Sequence, residues 1–424
     1  MDSSLPIACG TLVLTVGLAV ARPAIRHFRF SPGRAAVVGV LLLLLSGLLG
    51  VSDLVHAARL QWRPLLTLTC IMLMTGVVQE VGAFERLASR IESRARSRSA
   101  THTFSIIFVL SVITPSLLNN DAAILILTPL VVALTRRVFP GKPEVTIAFA
   151  FAVFLAPGVA PFIVSNPMNM IVAEFTGLGF NSYAAVMLPI SVAGAALTYV
   201  ILRWVYRDLL RSARPVEDRV VAPRDRHPAE RPAVILLVII FLAYPVAAVF
   251  GADIWVVATV GAGASLLLSR AYRIAPLPRV ARHVSLDILA FLWGIFLVVQ
   301  GLRRVGIVEG LASFYDAVPT GGAVQLLRIG ITSALGSAII DNHPMSILNM
   351  MAIGSHEDPK LLLAALVGGD IGPRLLPIGS LAGLLWIDLL RRQGIHIGVK
   401  QFLGLGTLVL IPTLALSLLM LWAL

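Results

Sequence analysis

Five titratable side chains of this sequence stand inside long apolar stretches. They are Asp121, Asp341, His343, Asp370 and Arg374. Ionised groups are costly in apolar surroundings, so such residues usually carry a proton, bind a ligand or pair with one another. We expect the three aspartates and His343 to exchange protons. Histidine is suited to this role because it titrates near neutral pH. We expect Arg374 to organise or gate a binding site.

A structural role is the alternative for each of these side chains. Asp121 and Asp341 could cap helices, since a carboxylate accepts hydrogen bonds from free backbone N–H groups. Arg374 could form a structural ion pair with Asp370, and the ring of His343 could merely fill space. Residue types and spacing alone do not decide between these roles.

Four segments hold these residues together with uncharged polar groups. The apolar segments 103–134 and 324–353 are each interrupted midway by a polar tripeptide, and 145–175 and 361–390 are broken by proline and glycine. Interrupted helices at matching places in two halves of a chain are typical of transporter binding sites. The candidate ligand-binding residues are Asn119, Asn120, Ser165, Asn166, Asn169, Asn342, Gly379 and Ser380.

Helix capping indicates what these segments could offer a ligand. Residues 120–121 are expected to cap a helix that starts at Ala122, and residues 342–343 a helix that starts at Pro344. The other two expected caps are Asn166, before Pro167, and Ser380, before Leu381. Four helix amino ends would then meet, each with free N–H groups and a partial positive charge. Such a site suits a small molecule that is hydroxylated or anionic.

The composition places these segments in a membrane protein. Of the 424 residues, 58% are hydrophobic and 13% are charged, whereas soluble domains usually carry about 25% charged residues. This composition excludes a soluble enzyme, a disordered chain and a nucleic-acid-binding protein. The two cysteines, Cys9 and Cys70, form no metal-binding motif. We therefore expect no metal site, no cofactor and no enzymatic activity.

The arginines indicate how the chain crosses the membrane. Ten apolar stretches can cross a bilayer core of about 30 Å, and the two segments with polar tips are expected to be re-entrant hairpins. The ten stretches cover 4–21, 35–51, 63–83, 145–175, 183–205, 233–250, 252–270, 286–302, 361–390 and 401–423. In this topology 27 of the 34 basic residues lie in loops on one side. The positive-inside rule makes that side cytoplasmic, with both termini outside the inner membrane.

A short motif occurs twice and indicates an internal repeat. Val81-Gly82, Glu85 and 87–89 recur as Val305-Gly306, Glu309 and 311–313. In both copies the motif precedes a hairpin with a polar tip and then a broken helix. The sequence therefore predicts an all-α integral membrane protein with two inverted repeats of five transmembrane helices and one hairpin each. The repeats cover 1–205 and 233–424, joined by a cytoplasmic linker at 206–232.

At these motifs the sequence resembles the arsenical-resistance permeases, the arsenite and antimonite efflux family of the ion transporter superfamily. The matching stretches are 120–129, 163–166, 177–180, 301–303, 370–374, 377–381 and 385–386. The resemblance runs over essentially the whole chain. It implies export of trivalent arsenic and antimony hydroxides by proton antiport, alone or with a soluble ATPase subunit. The superfamily implies two inverted repeats and an elevator-like motion.

The expected partners follow from the same resemblance. They are arsenite or antimonite, protons and the lipid bilayer, and the sequence leaves open an ATPase subunit and a homodimer. A sodium/proton antiporter or an anion transporter for dicarboxylate-like or silicate-like substrates is the alternative within the superfamily. A membrane receptor or scaffold would carry no solute, and it would leave the repeated broken helices without a purpose.

Overall fold

The computed structural model describes residues 4–25, 28–216, 227–319, 322–354 and 358–424. The described chain is almost entirely helical, which confirms the all-α class. Its sheet joins two strands of two residues each, β1 (Ala24–Ile25) and β2 (Phe28–Arg29), in an antiparallel pair. These strands lie in an arginine-rich connection and leave the helical architecture unchanged.

The helices before residue 213 include both arms of the first polar hairpin and both pieces of the first broken helix. They are α1 (Ser4–Ala21), α2 (Pro32–Leu45), α3 (Val51–Glu80), α4 (Ala83–Arg96), α5 (Ala100–Leu118), α6 (Asn120–Val138), α7 (Pro143–Leu155), α8 (Pro167–Thr176), α9 (Phe180–Val205) and α10 (Arg207–Ser212). A short 3-10 turn at Ile163–Ser165 lies in the break between α7 and α8.

The helices after residue 229 follow the same order. They are α11 (Glu230–Val249), α12 (Ile254–Ala271), α13 (Leu277–Ala281), α14 (Leu286–Arg303), α15 (Ile307–Asp316), α16 (Ala323–Ile340), α17 (Asn342–Ile353), α18 (Lys360–Ile371), α19 (Leu381–Arg392) and α20 (Val399–Ala423). Two 3-10 turns, Gly372–Arg374 and Pro377–Gly379, lie in the break between α18 and α19.

Fewer helices than expected are long enough to cross a membrane in one piece. In the described ranges eight helices meet this criterion, and the pair α3–α4, bent by 56°, raises the number to nine. Two of these eight, α5 and α16, are hairpin arms and do not belong to the ten predicted stretches. The sequence predicts ten spans because each broken helix forms one apolar stretch. The structure divides those helices into short pieces, and α2 has only 14 residues.

The first polar hairpin is longer than the sequence predicts, because it covers 100–138 instead of 103–134, whereas the second covers 323–353, within one residue of the predicted 324–353. The arms α5 and α16 have 19 and 18 residues and are each long enough to span, whereas the arm α17 has 12 residues. In the first hairpin the helices continue through 100–102 and 135–138, which lie outside the apolar segment and where a hydroxyl can bond the preceding turn. Thr135 Oγ1, for example, donates to the carbonyl of Val131 over 2.9 Å. That the hairpins turn back inside the membrane stays a prediction.

The segment 84–101, expected to be a loop, is largely the helix α4. Its apolar residues face inward, with Ile91 and Ala95 buried. Glu85 lies in its first turn, and Arg94 and Arg96 lie in its last turn, where each charge complements the helix dipole. The high charge of this segment therefore marks an amphipathic helix and not an irregular connection.

The repeated motif adopts the same conformation in both halves. Gly82 immediately precedes α4 with φ +73°, and Gly306 immediately precedes α15 with φ +84°. Glycine is favoured there because left-handed backbone is strained for residues with a Cβ atom. The halves therefore share the order of glycine, short helix, hairpin and broken helix. That they are inverted relative to each other, with boundaries at 205 and 233, stays a prediction.

The helices pack into two groups. In the first bundle, α2 packs against α1 and α14, and α3 packs against α11 and α12. In the second bundle, α6 packs against α5, α7 and α19, α16 packs against α17 and α18, and α20 packs against α9. The helices α4 and α15 connect the bundles along the chain. Both hairpins, the second broken helix and α7 thus belong to the second bundle, and α8 packs between α3 of the first bundle and α17 of the second.

Candidate functional site

Each hairpin turns at one residue with left-handed backbone. Asn119 has φ +118° and Asp341 has φ +77°. Asn119 Oδ1 accepts from the N–H of Ala122 over 2.9 Å, and Asp341 Oδ1 accepts from the N–H of His343 over 2.9 Å. The caps are therefore Asn119 and Asp341, one residue before the predicted positions. Asparagine and aspartate tolerate this backbone because their short polar side chains bond locally.

Asp341 also holds the imidazole ring of His343. The ring Nδ1 lies 2.5 Å from Asp341 Oδ1, and the ring packs edge-on against Phe291 with 5.4 Å between centroids. Both side chains are buried. A carboxylate bound to one ring nitrogen fixes the ring and leaves the other nitrogen for a ligand or a proton. Asp341 thus acts on the site through His343.

The two broken helices restart at the predicted caps. Asn166 has extended backbone, and its side chain accepts from the N–H of Met168 over 3.0 Å. Ser380 is also extended, and its Oγ accepts from the N–H of Gly383 over 3.0 Å. Both predictions are confirmed, because an asparagine or serine after a proline-rich break is a strong start signal.

The carboxylate of Asp370 binds the break of the other half. Its Oδ2 accepts from the N–H of Ala160 over 2.8 Å, and its Oδ1 accepts from Asn166 Nδ2 over 2.7 Å. Backbone and amide dipoles therefore stabilise this buried acid. These two bonds tie the second broken helix to the first.

Arg374 binds the same break at its other end. Its guanidinium donates to the carbonyls of Leu155 over 2.7 Å and Pro157 over 3.2 Å, and to Thr413 Oγ1 over 2.9 Å. A cation is favourable at these carbonyls because they end the helix α7. In the described part of the chain no direct ion pair joins Arg374 to Asp370, and each of the two side chains is held instead by groups of the first broken helix.

The hairpin tips and the helix breaks meet around one central cavity of about 50 Å³. Its lining residues are Asn120, Asp121, Ile124, Phe154, Pro157, Asn166, Pro167, Asn342, His343, Asp370, Pro373, Arg374, Ser380, Leu381 and Ala382. A site of this volume holds a few waters or one molecule with a few heavy atoms. Eight of the sequence-predicted residues therefore share a single site.

The central cavity adjoins polar atoms that have no partner. Asn342 Oδ1 and Arg374 Nε are buried and make no hydrogen bond with any described residue. Unpaired buried polar atoms are costly, and a ligand that donates and accepts hydrogen bonds would relieve both. Asp121 is 8% exposed, and the described residues supply no hydrogen bond to its carboxylate.

Five predicted residues lie outside the central cavity. Asn119 and Asp341 are caps, and Gly379 packs so closely that an added Cβ would lie 2.8 Å from the carbonyl of Ser337. Ser165 Oγ donates to the carbonyl of Ser116 over 2.8 Å, and Asn169 Nδ2 donates to the hydroxyl of Tyr183 over 2.6 Å. These five residues do not line the cavity, but they hold the neighbouring helices and turns in place.

Sequence reasoning missed the residues that hold the break in place. Tyr183 lies on α9, and its hydroxyl donates to the carbonyl of Ala160 over 2.9 Å. Thr413 on α20 accepts from Arg374. Both residues lie within long apolar helices, where a single tyrosine or threonine gives no signal of its role. Only the packing of α9 and α20 shows it.

The sequence profile of the arsenical pump membrane protein family matches residues 7–424. The chain belongs to this family. An arsenical pump membrane protein of Escherichia coli is 28% identical over 422 residues, and one of Yersinia enterocolitica is 29% identical over 422 residues. Each of these alignments covers 97% of both chains. The resemblance predicted from the motifs is therefore confirmed.

Two solved transporters have a similar fold. The YdaH transporter of Alcanivorax borkumensis aligns with a TM-score of 0.57 at 17% identity, covering 99% of this chain and 96% of its own. The MtrF protein of Neisseria gonorrhoeae, described as one of a class of antimetabolite efflux pumps, gives 0.54 at 11% identity, covering 100% and 94%. At these identities the likeness concerns the fold alone.

This member of the arsenical pump membrane protein family is a multi-pass membrane protein, and its relatives are named as pumps and not as enzymes. A vestibule of about 900 Å³ opens between its two bundles on the side of the arginine-rich loops. Its lining residues are Val20, Ala21, Arg22, Phe30, Ser31, Pro32, Arg34, Leu125, Ser285, Asp287, Ile288, Leu381, Leu384, Leu385, Ile387, Asp388, Arg391 and Arg392. Leu381 borders both the vestibule and the central cavity.

Proposed function

We propose that this chain exports trivalent arsenic and antimony hydroxides through the central cavity in exchange for protons. The family and the names of its relatives support an arsenical substrate. The observation that carries the assignment is the central cavity itself, where both hairpin tips and both helix breaks meet. Polar or charged groups of all four segments converge there and on no other described cavity.

The central cavity suits a small neutral hydroxide. Arsenite at neutral pH is mainly a molecule of one arsenic and three hydroxyl groups, each able to donate and accept. Asn342 Oδ1 and Arg374 Nε lack a partner, and a hydroxylated ligand supplies an acceptor for one and a donor for the other. The helix amino ends at Asn166 and Ser380 add further N–H groups.

Recognition without thiolate is consistent with transport. Trivalent arsenic binds thiolates tightly, whereas a carrier must release its cargo on the other side. Neither Cys9 nor Cys70 lines the central cavity, and no described cluster of His, Cys, Asp or Glu could hold a metal ion. Hydrogen bonds to hydroxyl groups give binding that is weak enough to reverse.

Asp121 and His343 are the groups that would carry the proton. Both line the central cavity, and neither the Asp121 carboxylate nor His343 Nε2 is engaged by a described hydrogen bond. A buried carboxylate gains or loses a proton when its surroundings change. Export of a neutral hydroxide uphill needs a driving ion, and a proton on these residues supplies it without an ATPase subunit.

The proposed topology follows from the arginines. The arginine-rich loops would lie in the cytoplasm and both termini outside, in the inner membrane of the cell. The vestibule then admits substrate from the cytoplasm. The inverted repeat would allow the second bundle to present the central cavity to the other side by moving against the first.

Sodium/proton exchange is the second candidate, since Asp121 and Asp370 place two carboxylates in the same central cavity. The deciding experiment uses the purified chain alone in liposomes, with an imposed pH gradient or sodium gradient. We expect arsenite accumulation driven by the pH gradient. Sodium-dependent proton movement without arsenite accumulation would assign the antiporter function instead.

A further inference from the structure

Three arginines form a row along the helix α4. Arg90, Arg94 and Arg98 follow one another at a spacing of four residues, and all three are exposed. Residues four apart lie on the same side of an α-helix, and Arg98 continues the spacing just after the last turn. We call this row the arginine stripe. The buried residues Ile91 and Ala95 lie on a different side of α4, so the stripe is free of the protein core.

The arginine stripe differs from the other arginines of α4 in its contacts. Arg86 forms an ion pair with Glu230 at the start of α11, and Arg96 Nη2 lies 2.8 Å from Glu92 Oε1. Those two arginines therefore stabilise the fold. The guanidinium groups of the stripe make no ion pair or hydrogen bond with any residue that the structure describes. Three neighbouring positive charges without a partner attract a negatively charged ligand, and their position indicates which one.

The connections of α4 place the arginine stripe at the surface of the membrane. Only residues 81–82 join α4 to α3, and only residues 97–99 join it to α5, which is long and apolar enough to cross a bilayer. A link of two or three residues spans about 10 Å at most. The bend of 56° between α3 and α4 turns α4 away from the direction of α3. Both ends of α4 therefore remain close to the level at which its neighbours end, where lipid headgroups meet exposed side chains.

We propose that the arginine stripe is a docking surface for the headgroups of anionic phospholipids. A guanidinium group can donate two parallel hydrogen bonds to the oxygens of a phosphate. Each arginine near an anionic membrane surface strengthens the attraction about 5-fold. The ligand is a lipid and not a soluble acidic protein, because the short links at both ends of α4 keep the stripe at headgroup level. Since α4 connects the two bundles along the chain, the docked headgroups hold this connection at the bilayer surface.

The matching helix of the other half carries no such charges. Like α4, the helix α15 follows a left-handed glycine and precedes a polar hairpin, but its 10 residues include no lysine or arginine. The repeated fold therefore does not require the arginine stripe. In the topology proposed above, α4 lies on the cytoplasmic side, where anionic lipids give the membrane a negative surface potential. The difference between the two helices matches that difference between the two leaflets.

The test measures which lipid lies next to α4. In a chain without Cys9 and Cys70, Ser93→Cys places a fluorophore at an exposed position of α4 between Arg90 and Arg94. The protein is reconstituted in phosphatidylcholine nanodiscs that contain an equal small fraction of either phosphatidylglycerol or phosphatidylcholine with a quenching spin label near the headgroup. We expect phosphatidylglycerol to quench about 5-fold more strongly. Because salt screens exposed charges, this preference should weaken at high ionic strength.

The variants separate the arginine stripe from the overall positive charge of the chain. The stripe variant combines Arg90→Gln, Arg94→Gln and Arg98→Gln. The matched control removes the same charge from three exposed arginines of other segments by Arg231→Gln, Arg270→Gln and Arg282→Gln. We expect the lipid preference to disappear in the stripe variant and to persist in the control. It should also persist when lysine replaces the three arginines of the stripe, because lysine keeps the charge.

Equal quenching by the two lipids in the parent would overturn the proposal. An unchanged preference in the stripe variant would also overturn it, as would an equal loss in the matched control or a loss in the lysine variant. Arsenite takes no part in the measurement. A failure of the proposed arsenite export would therefore leave this result unaffected, and a failure here would leave the export proposal unaffected.

Discussion

Asp370 shows how a buried acid is held by the other half of the chain. Its carboxylate accepts hydrogen bonds from Ala160 and Asn166. The guanidinium of Arg374 donates instead to the carbonyls at the end of α7. The sequence predicts that both residues belong to the site, because charges in an apolar stretch need partners. It could not predict which partners, because these come from 200 residues away along the chain.

Asp121 should be required for coupling proton movement to arsenite transport, but not for binding arsenite. Asp121→Asn keeps the side-chain volume but cannot release a proton, so we expect arsenite binding with little pH-driven accumulation. The measurement is accumulation in inside-out vesicles, with Asp388→Asn as the matched control because Asp388 pairs with Arg392 on the surface. Accumulation by Asp121→Asn at the parental rate would remove this residue from the proton path.

Asn342 should contribute directly to affinity. Asn342→Ala removes the amide that adjoins the central cavity, and we expect arsenite affinity to fall about 5- to 10-fold, as the loss of one hydrogen bond of about 1 kcal/mol implies. Binding is measured on the purified protein by competition or calorimetry. The control is Asn181→Ala. The amide of Asn181 donates to the carbonyl of Pro245, and this residue does not line the central cavity. Unchanged affinity in Asn342→Ala would place the ligand elsewhere.

The hairpin tips show why helix starts are predicted only to within a residue. The sequence identifies the polar tripeptides correctly, but the caps are Asn119 and Asp341 because each adopts the left-handed backbone that turns the chain. The caps at Asn166 and Ser380 are predicted correctly, since proline fixes where α8 begins and a proline–glycine turn leads into α19. The extra length of the first hairpin escaped prediction because its ends, 100–102 and 135–138, are largely polar and lie outside the apolar segment.

Substitutions of Asn119, at the tip of the first hairpin, should lower the stability of the fold. Asn119→Gly removes the side-chain cap but accepts φ +118°, and we expect a loss of only about 0.3 kcal/mol in unfolding free energy, because glycine is itself tolerated at a helix start. Asn119→Ala removes the cap and adds left-handed strain, so we expect a further loss of about 1 kcal/mol. Melting temperatures of the purified variants measure both. A more stable alanine variant than glycine variant would show that the tip is not strained.

At the scale of the whole molecule, the two bundles touch on the side away from the vestibule. Arg63 on α3 lies 3.0 Å from Glu174 on α8 and 3.8 Å from Asp253. These side chains surround an outer pocket of about 300 Å³. The structure thus has a wide opening on the arginine-rich side and an ion pair between bundles on the other. Composition alone predicts a membrane protein, but not which side is open.

The outer ion pair should favour the conformation described here. Glu174→Arg repels Arg63, and we expect a vestibule cysteine at Leu385 to be labelled more slowly, by up to about 5-fold, because partly exposed pairs contribute about 0–1 kcal/mol. The double variant Arg63→Glu with Glu174→Arg should restore the parental labelling rate. Equal rates in all three proteins would show that the pair does not influence the opening.

Proton-driven export of arsenite is tested directly by arsenite flux in liposomes that contain the purified chain and no ATPase. The vesicles have an acidic interior and an alkaline exterior, and the inside-out fraction faces the medium with its arginine-rich loops. We expect arsenite accumulation that stops when a protonophore removes the pH gradient and that falls to background in Asp121→Asn. Accumulation that survives the protonophore, or none at all with active protein, would contradict proton-driven export.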